Sequence, residues 1–251
     1  MIYCGERVQL DLPVLEGGGR ARIAPPAGEE AVLVLLAGDL EWNGVRATRG
    51  DVFDGRASAM YLPAGSSVDV LAHTPTELAL AATRNAGLAA GGIAPLFIAP
   101  ADVVVHERGA PGWQRQVHDV VADNVRAQAL IVGETFNEPG QWSSFPPHKH
   151  DGDDGEPALE EVYYYRFDRP EGFGFQGLYE SGDGEGGADR ARAVFLRHGA
   201  IVGIPRGYHP VCAAPGYRLY YLWALVGTPR RLAMHEDPAH RWLHEPGATP
   251  G

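Results

Sequence analysis

The chain has 251 residues, enough for one large domain or two of ordinary size, and 45% of them are hydrophobic and 21% charged, the balance of a globular protein. A net charge of −11 and a pI near 5.3 offer no basic face to nucleic acid or to an anionic membrane. No run of about 20 apolar residues is present to span a bilayer as a helix.

The opening MIYCGERVQLDLP lacks the basic, apolar, small-residue progression of a secretory signal. A cytoplasmic protein with Cys4 and Cys212 as reduced thiols is therefore expected. Thirty-three glycines and 20 prolines, spread along the chain, argue for short strands joined by turns rather than long helices. Ala31–Ala37 (AVLVLLA) is an apolar run of strand length. Gly50–Phe53 leads into a strand over Ser58–Pro63, Pro63-Ala64-Gly65 turns the chain, and Ser67–Ala72 and Glu77–Ala82 follow. The small, loose stretch 86–101 reads as a linker, dividing the chain into domains 1–100 and 101–251. Beyond it, strands are predicted at Gln114–Val121, Ala127–Thr135, Glu161–Phe167, Phe173–Tyr179, Ala193–Leu196, Ala200–Ile204 and Tyr217–Val226. The acidic stretch 151–157 and the Gly-rich stretch 181–192 read as exposed loops, the second a mobile hairpin tip, and the one helix expected is short and follows Pro238. Strand spacing of this kind indicates an all-β protein of sandwich or barrel type. Gly50-(x12)-Pro63-x-Gly65 and Gly199-(x5)-Pro205-x-Gly207 suggest two duplicated barrels, only the second of which keeps its histidines.

The chemistry concentrates in that second half. His148 and His150 flank the only lysine, Lys149, and residues two apart on a strand share a face. Glu160 and Glu161 open a tyrosine-rich strand, and His209 follows the Pro205-Arg206-Gly207 turn. Three imidazoles and a carboxylate suit Zn²⁺, Mn²⁺, Fe²⁺ or Ni²⁺ with a coordination position left open, as catalysis requires. His73, His106, His118 and His198 lack partners in this pattern and read as structural. His235, Asp237, His240 and His244 could imitate a second site but read as a solvated terminal segment.

The arrangement resembles the two cupin motifs, with a longer spacer before the glutamate and one residue fewer before the last histidine. One branch is closer: 134–151 (ETFNEPGQWSSFPPHKHD), 159–166 (LEEVYYYR), 172–176 (GFGFQ), 205–210 (PRGYHP) and 216–222 (GYRLYYL) look like the 5-deoxy-glucuronate isomerases of inositol catabolism. The resemblance is dense over 105–242 and thin before it, and Lys149 is part of the pattern. It implies a bicupin fold and a divalent metal, with zinc the first choice. The implied reaction is the aldose–ketose conversion of 5-deoxy-D-glucuronate to 5-dehydro-2-deoxy-D-gluconate. A related isomerase of pectin breakdown uses the glutamate directly before Val as a ligand, which by analogy points to Glu161.

Such an isomerase needs a base to move a proton between adjacent carbons. Glu160, Tyr163, Tyr165, Tyr208 and Lys149 are the candidates. Regular alternation turns Glu160 away from Glu161 and Lys149 away from its flanking histidines, which favours a tyrosine or a water on the metal. The acid end of a uronate needs a cation, for which Arg206, Arg166 and Arg115 are available, with Arg206 preferred for its closeness to His209 in sequence. A small uronate is the expected partner, and assembly into a homo-oligomer is possible for paired cupin halves. An Fe²⁺ dioxygenase and a non-catalytic sugar-binding cupin are the competing readings.

Overall fold

The computed structural model describes residues 2–91, 94–180 and 191–244. The proposed hairpin tip lies almost wholly outside them. Two β systems follow one another in the chain. The first orders its strands Ile2–Cys4, Val8–Asp11, Thr76–Thr83, Ala31–Trp42, Ala59–Leu62 and Leu96–Ile98, with four more strands branching from this path. The second contains a six-stranded sheet ordered Val104–Arg108, Arg115–Val121, Leu130–Asn137, Leu219–Gly227, Leu159–Phe167 and Ile201–Ile204. A four-stranded sheet (Trp142–Ser143, Val211–Ala213, Phe173–Leu178, Arg192–Arg197) and a two-stranded ladder of His148–Lys149 with His235–Glu236 complete it. The helix after Pro238 is a short 3₁₀ segment, Pro238–His244. No helix among the described residues is long and apolar enough to cross a membrane.

Three differences from the sequence reading have physical causes. The stretch read as a linker contributes a strand, Leu96–Ile98, hydrogen-bonded beside Ala59–Leu62. The first 30 residues, where no strand was expected, hold four strands of two to four residues, too short to show as periodicity. Strands Ala31–Trp42, Leu159–Phe167 and Leu219–Gly227 are apolar without alternation because both of their faces are covered. One face of each points into its own barrel: Leu33, Leu35 and Trp42 in the first, Tyr163, Tyr165 and Trp223 in the second. The other face joins a shared core in which Val32, Val34 and Leu36 meet Val132, Tyr164, Leu222 and Ala224. The two halves thus dock through a continuous apolar interior rather than hanging from a tether.

Buried carboxylates fasten that docking reciprocally. Glu30, at the head of its long strand, accepts the backbone N–H groups of Gln128 (2.9 Å), Ala129 (2.7 Å) and Leu130 (2.7 Å) and the Tyr61 hydroxyl (2.6 Å). Glu160 accepts those of Glu6 (3.0 Å), Arg7 and Val8 (3.1 Å), with the Tyr3 hydroxyl 3.5 Å away. Register makes the two equivalent: Ala31 pairs with Leu62 before Pro63, and Glu161 pairs with Ile204 before Pro205. By the same register the first barrel has Ala31 where the second has Glu161, and apolar side chains fill its interior.

Glu160→Ala would leave three N–H groups without their acceptor. A loss of about 2–4 kcal/mol is expected, since an unmet buried donor costs ~1–3 kcal/mol and water reaches part of this loop. Urea unfolding at constant m-value measures it, and an unchanged midpoint would dismiss the clamp.

Candidate metal centre and pocket

His148 stands on its two-residue strand and His150 just after it, while Glu161 is the third residue of strand Leu159–Phe167. His209 follows a turn that depends on Gly207, whose φ is +90° and where a Cβ would lie 2.7 Å from the Tyr179 carbonyl. The three imidazole rings converge, with centroids 4.7–5.6 Å apart. Their donor nitrogens lie within 4.8 Å of one another. Glu161 Oε2 is 3.2 Å from His209 Nε2 and 3.9 Å from His150 Nε2.

Backbone carbonyls set the tautomers. His150 Nδ1 is 3.0 Å from Ala233 O, and His209 Nδ1 is 2.9 Å from Gly207 O. A carbonyl only accepts, so both Nδ1 atoms carry the proton and both Nε2 atoms offer a lone pair to the centre. Burial pushes His148 and His150 below the ordinary histidine pKa, aided for His148 by the neighbouring rings, so both are neutral at pH 7. His209 moves the other way, because Glu161 outweighs the burial that would lower it. Glu161 Oε2 and His209 Nε2 are both buried without a hydrogen-bond partner. A carboxylate oxygen and an imidazole nitrogen facing each other at 3.2 Å need a proton or a metal ion between them. The donor set therefore fits a divalent transition metal.

A cavity of about 420 Å³ opens beside this cluster. Tyr163 and Ser144 face it and share a hydrogen bond of 3.1 Å. Burial and the charge of Glu161 push the Tyr163 phenol well above its ordinary pKa, so it stays protonated. Trp223 floors the cavity, lying across Gly133 where a Cβ would meet the indole at 2.1 Å, with Nε1 donating to Thr135 (3.0 Å). Arg115 and Arg108, directly opposite on adjacent strands, line the outer part. Neither has a carboxylate partner among the described residues. Burial, followed by the nearby Arg108, lowers the pKa of Arg115, and the Arg115 charge is felt at His148.

Several expected site residues lie elsewhere. Glu160 turns to the first barrel, as above. Lys149 is held by the acidic loop, 2.9 Å from Asp154 and 3.5 Å from Asp153. Burial would lower its pKa, but Asp154, Asp151 and Glu156 raise it, and the ammonium stays a cation rather than a base. The same ammonium occupies the acidic surroundings of a second cluster of ligand-type atoms, Asp154, Glu156 and His235. Arg206 is half exposed on the surface beside Asp153 (3.5 Å) and Glu180 (3.4 Å). Arg166 binds the Glu77 carboxylate and the Tyr164 hydroxyl between the barrels. Tyr165 donates to Gln176 (2.9 Å) inside the barrel wall, and Tyr208 packs its ring on Tyr179. Of the proposed set, Tyr163 and Arg115 reach the cavity with His148, His150 and Glu161. The reading of His106 and the terminal segment as bystanders also changes: His106, with Asp119 at 3.0 Å, and Leu232, Met234, Glu236 and His244 all line the cavity.

Two tandem barrels, one with a His₃Glu cluster that could hold a metal ion beside a cavity, define a bicupin. The chain belongs to the KduI/IolB family, whose model matches residues 4–243. It is 36% identical over 229 residues to the 5-deoxy-glucuronate isomerase of Geobacillus kaustophilus, covering 86% of this chain and 79% of that one. The Geobacillus thermodenitrificans enzyme of the same name is 34% identical over the same shares. Among solved structures, an IolB-like protein from Salmonella typhimurium LT2 superimposes with a TM-score of 0.84 at 31% identity, over 96% of this chain and 91% of that one. A Lactobacillus farciminis oxalate decarboxylase shares the fold at TM-score 0.66 and 14% identity, over 92% of this chain and 80% of that one.

Proposed function

We propose that this protein is a metal-dependent aldose–ketose isomerase that converts 5-deoxy-D-glucuronate to 5-dehydro-2-deoxy-D-gluconate in the cytoplasmic breakdown of myo-inositol. The observation that carries the reading is a cluster of metal-ligand side chains beside a cavity that two guanidinium groups also line. The named relatives and the unbridged state of Cys4 and Cys212 agree with it. His148, His150, Glu161 and His209 would hold the ion, with zinc the first choice and manganese, iron or nickel also suited to the donor set. A bound divalent cation supplies charge stabilisation to the sugar oxygens as an enediol forms.

The chain's own groups do the rest. Arg115, seconded by Arg108, receives the substrate carboxylate, relieving a like-charge pair that is otherwise unfavourable across a ladder. Tyr163, protonated and paired with Ser144, donates its hydroxyl proton toward the carbonyl oxygen that becomes the new alcohol. Trp113, Phe145, Leu232 and Met234 give the cavity apolar walls.

Metal-replete protein is expected to turn over 5-deoxy-D-glucuronate and to lose that activity to a chelator. Complete inactivity of the metal-replete protein would refute the assignment, and oxygen uptake by the iron-loaded form would favour a dioxygenase. Arg115→Ala should raise KM roughly 10- to 100-fold, the worth of a charge-assisted contact of about 1.5–3 kcal/mol. Arg206→Ala should leave KM within about twofold, and steady-state kinetics on both variants decides between the two arginines.

A further inference from the structure

The reaction needs a group that takes a proton from carbon and returns it to the neighbouring carbon. The three clustered histidines are committed to the centre. His106 and Asp119 stand on strands four and three places from that of Glu161 in the sheet order, toward the outer rim. The C-terminal segment supplies the remaining acid. Strand His235–Glu236 pairs antiparallel with His148–Lys149, and Glu236 lies directly opposite His148. Residues directly opposite in such a ladder point to the same side with Cβ atoms about 4.5–5.5 Å apart. His148 faces the centre, so Glu236 does too, and its side chain lines the cavity. Its Oε2 lies 2.9 Å from His244 Nε2, which orients the carboxylate and leaves Oε1 for a substrate.

We infer that Glu236 is the catalytic base that carries the proton between C2 and C1 of the sugar. This rests on the isomerase reading above. Glu236 takes the C2 proton, and the C2–H electron pair becomes the C1=C2 double bond of an enediol while the C1 oxygen gains a proton from Tyr163. The C2 hydroxyl then returns a proton to Tyr163, its O–H pair closes the C2=O bond, and the double-bond electrons take the proton from Glu236 at C1. Substrate and product are isomers, and both side chains end as they began.

Glu236→Gln keeps size and hydrogen bonding but cannot accept the proton. The variant should hold metal at the wild-type stoichiometry by elemental analysis and keep KM within about threefold. Its kcat should fall about 10²- to 10⁴-fold. In D₂O, wild-type enzyme should wash deuterium into C2 of recovered substrate, and the variant should not. Glu236→Asp should recover part of the exchange. An E236Q enzyme with kcat within threefold of wild type, wild-type washout by E236Q, or loss of metal from E236Q would each overturn the inference. A wild-type protein without turnover would instead refute the isomerase reading, so the two failures are distinguishable.

Discussion

His148→Ala and His209→Ala are each expected to lower affinity for the divalent cation by more than about 100-fold and to abolish measurable turnover, while the fold survives. Losing a group that only orients a ligand costs ~10–100-fold in metal affinity, and loss of a direct ligand must exceed that. The fold tolerates the change because each substitution removes a nitrogen aimed at the other rings, and His209 Nε2 has no hydrogen-bond partner among the described residues. Both barrels keep their apolar cores. Elemental analysis after dialysis, with a thermal melt alongside, checks both halves of the expectation. Full metal stoichiometry in both variants would remove these residues from the ligand set.

The second large effect is on stability. Arg49 and Glu134 form an ion pair between the barrels with side-chain exposures of 1% and 0%. Arg49 places Nη1 2.7 Å from Glu134 Oε1 and Nη2 3.1 Å from Oε2, and it donates to the carbonyls of Leu35, Val52 and Gly55. Tyr220 adds its hydroxyl to the same carboxylate at 2.8 Å. Arg49→Met would leave Glu134 charged or forced to protonate in an apolar interior. Breaking a buried pair from one side costs about 3–5 kcal/mol, whereas removing both charges is often near neutral. Arg49→Met should therefore lower Tm by roughly 6–20 °C for a chain of this size. The double variant Arg49→Met/Glu134→Leu should recover most of the loss. Calorimetry on the cycle measures the coupling, and a single variant within about 1 kcal/mol of wild type would contradict it.

The centre was legible because its residues sit close together in short motifs. His148 and His150 share a strand face through local geometry, Glu161 is the third residue of an apolar strand, and the Pro205–Gly207 turn marks the approach to His209. Strand alternation also separates Tyr163, which reaches the cavity, from Tyr164, which enters the shared core. Arg206 misled for the opposite reason. Nearness along the chain to His209 says nothing about direction, and its side chain leaves the turn toward Asp153 on the surface. Arg115, more than 90 residues from His209, is the guanidinium that the barrel wall carries inward.

The sequence by itself determined an all-β chain, seven strands of its second half and a set of candidate donor side chains, because period-two alternation and tight turns act over a few residues. Tertiary structure alone decided that Glu160 clamps the first barrel, that Arg49 answers Glu134, and that the C-terminal strand lays Glu236 opposite His148. Each of these pairs residues more than 80 positions apart. No local pattern encodes such a pairing; it follows from two apolar sheet faces that must cover each other, and from buried charges and N–H groups that must then find partners across the seam.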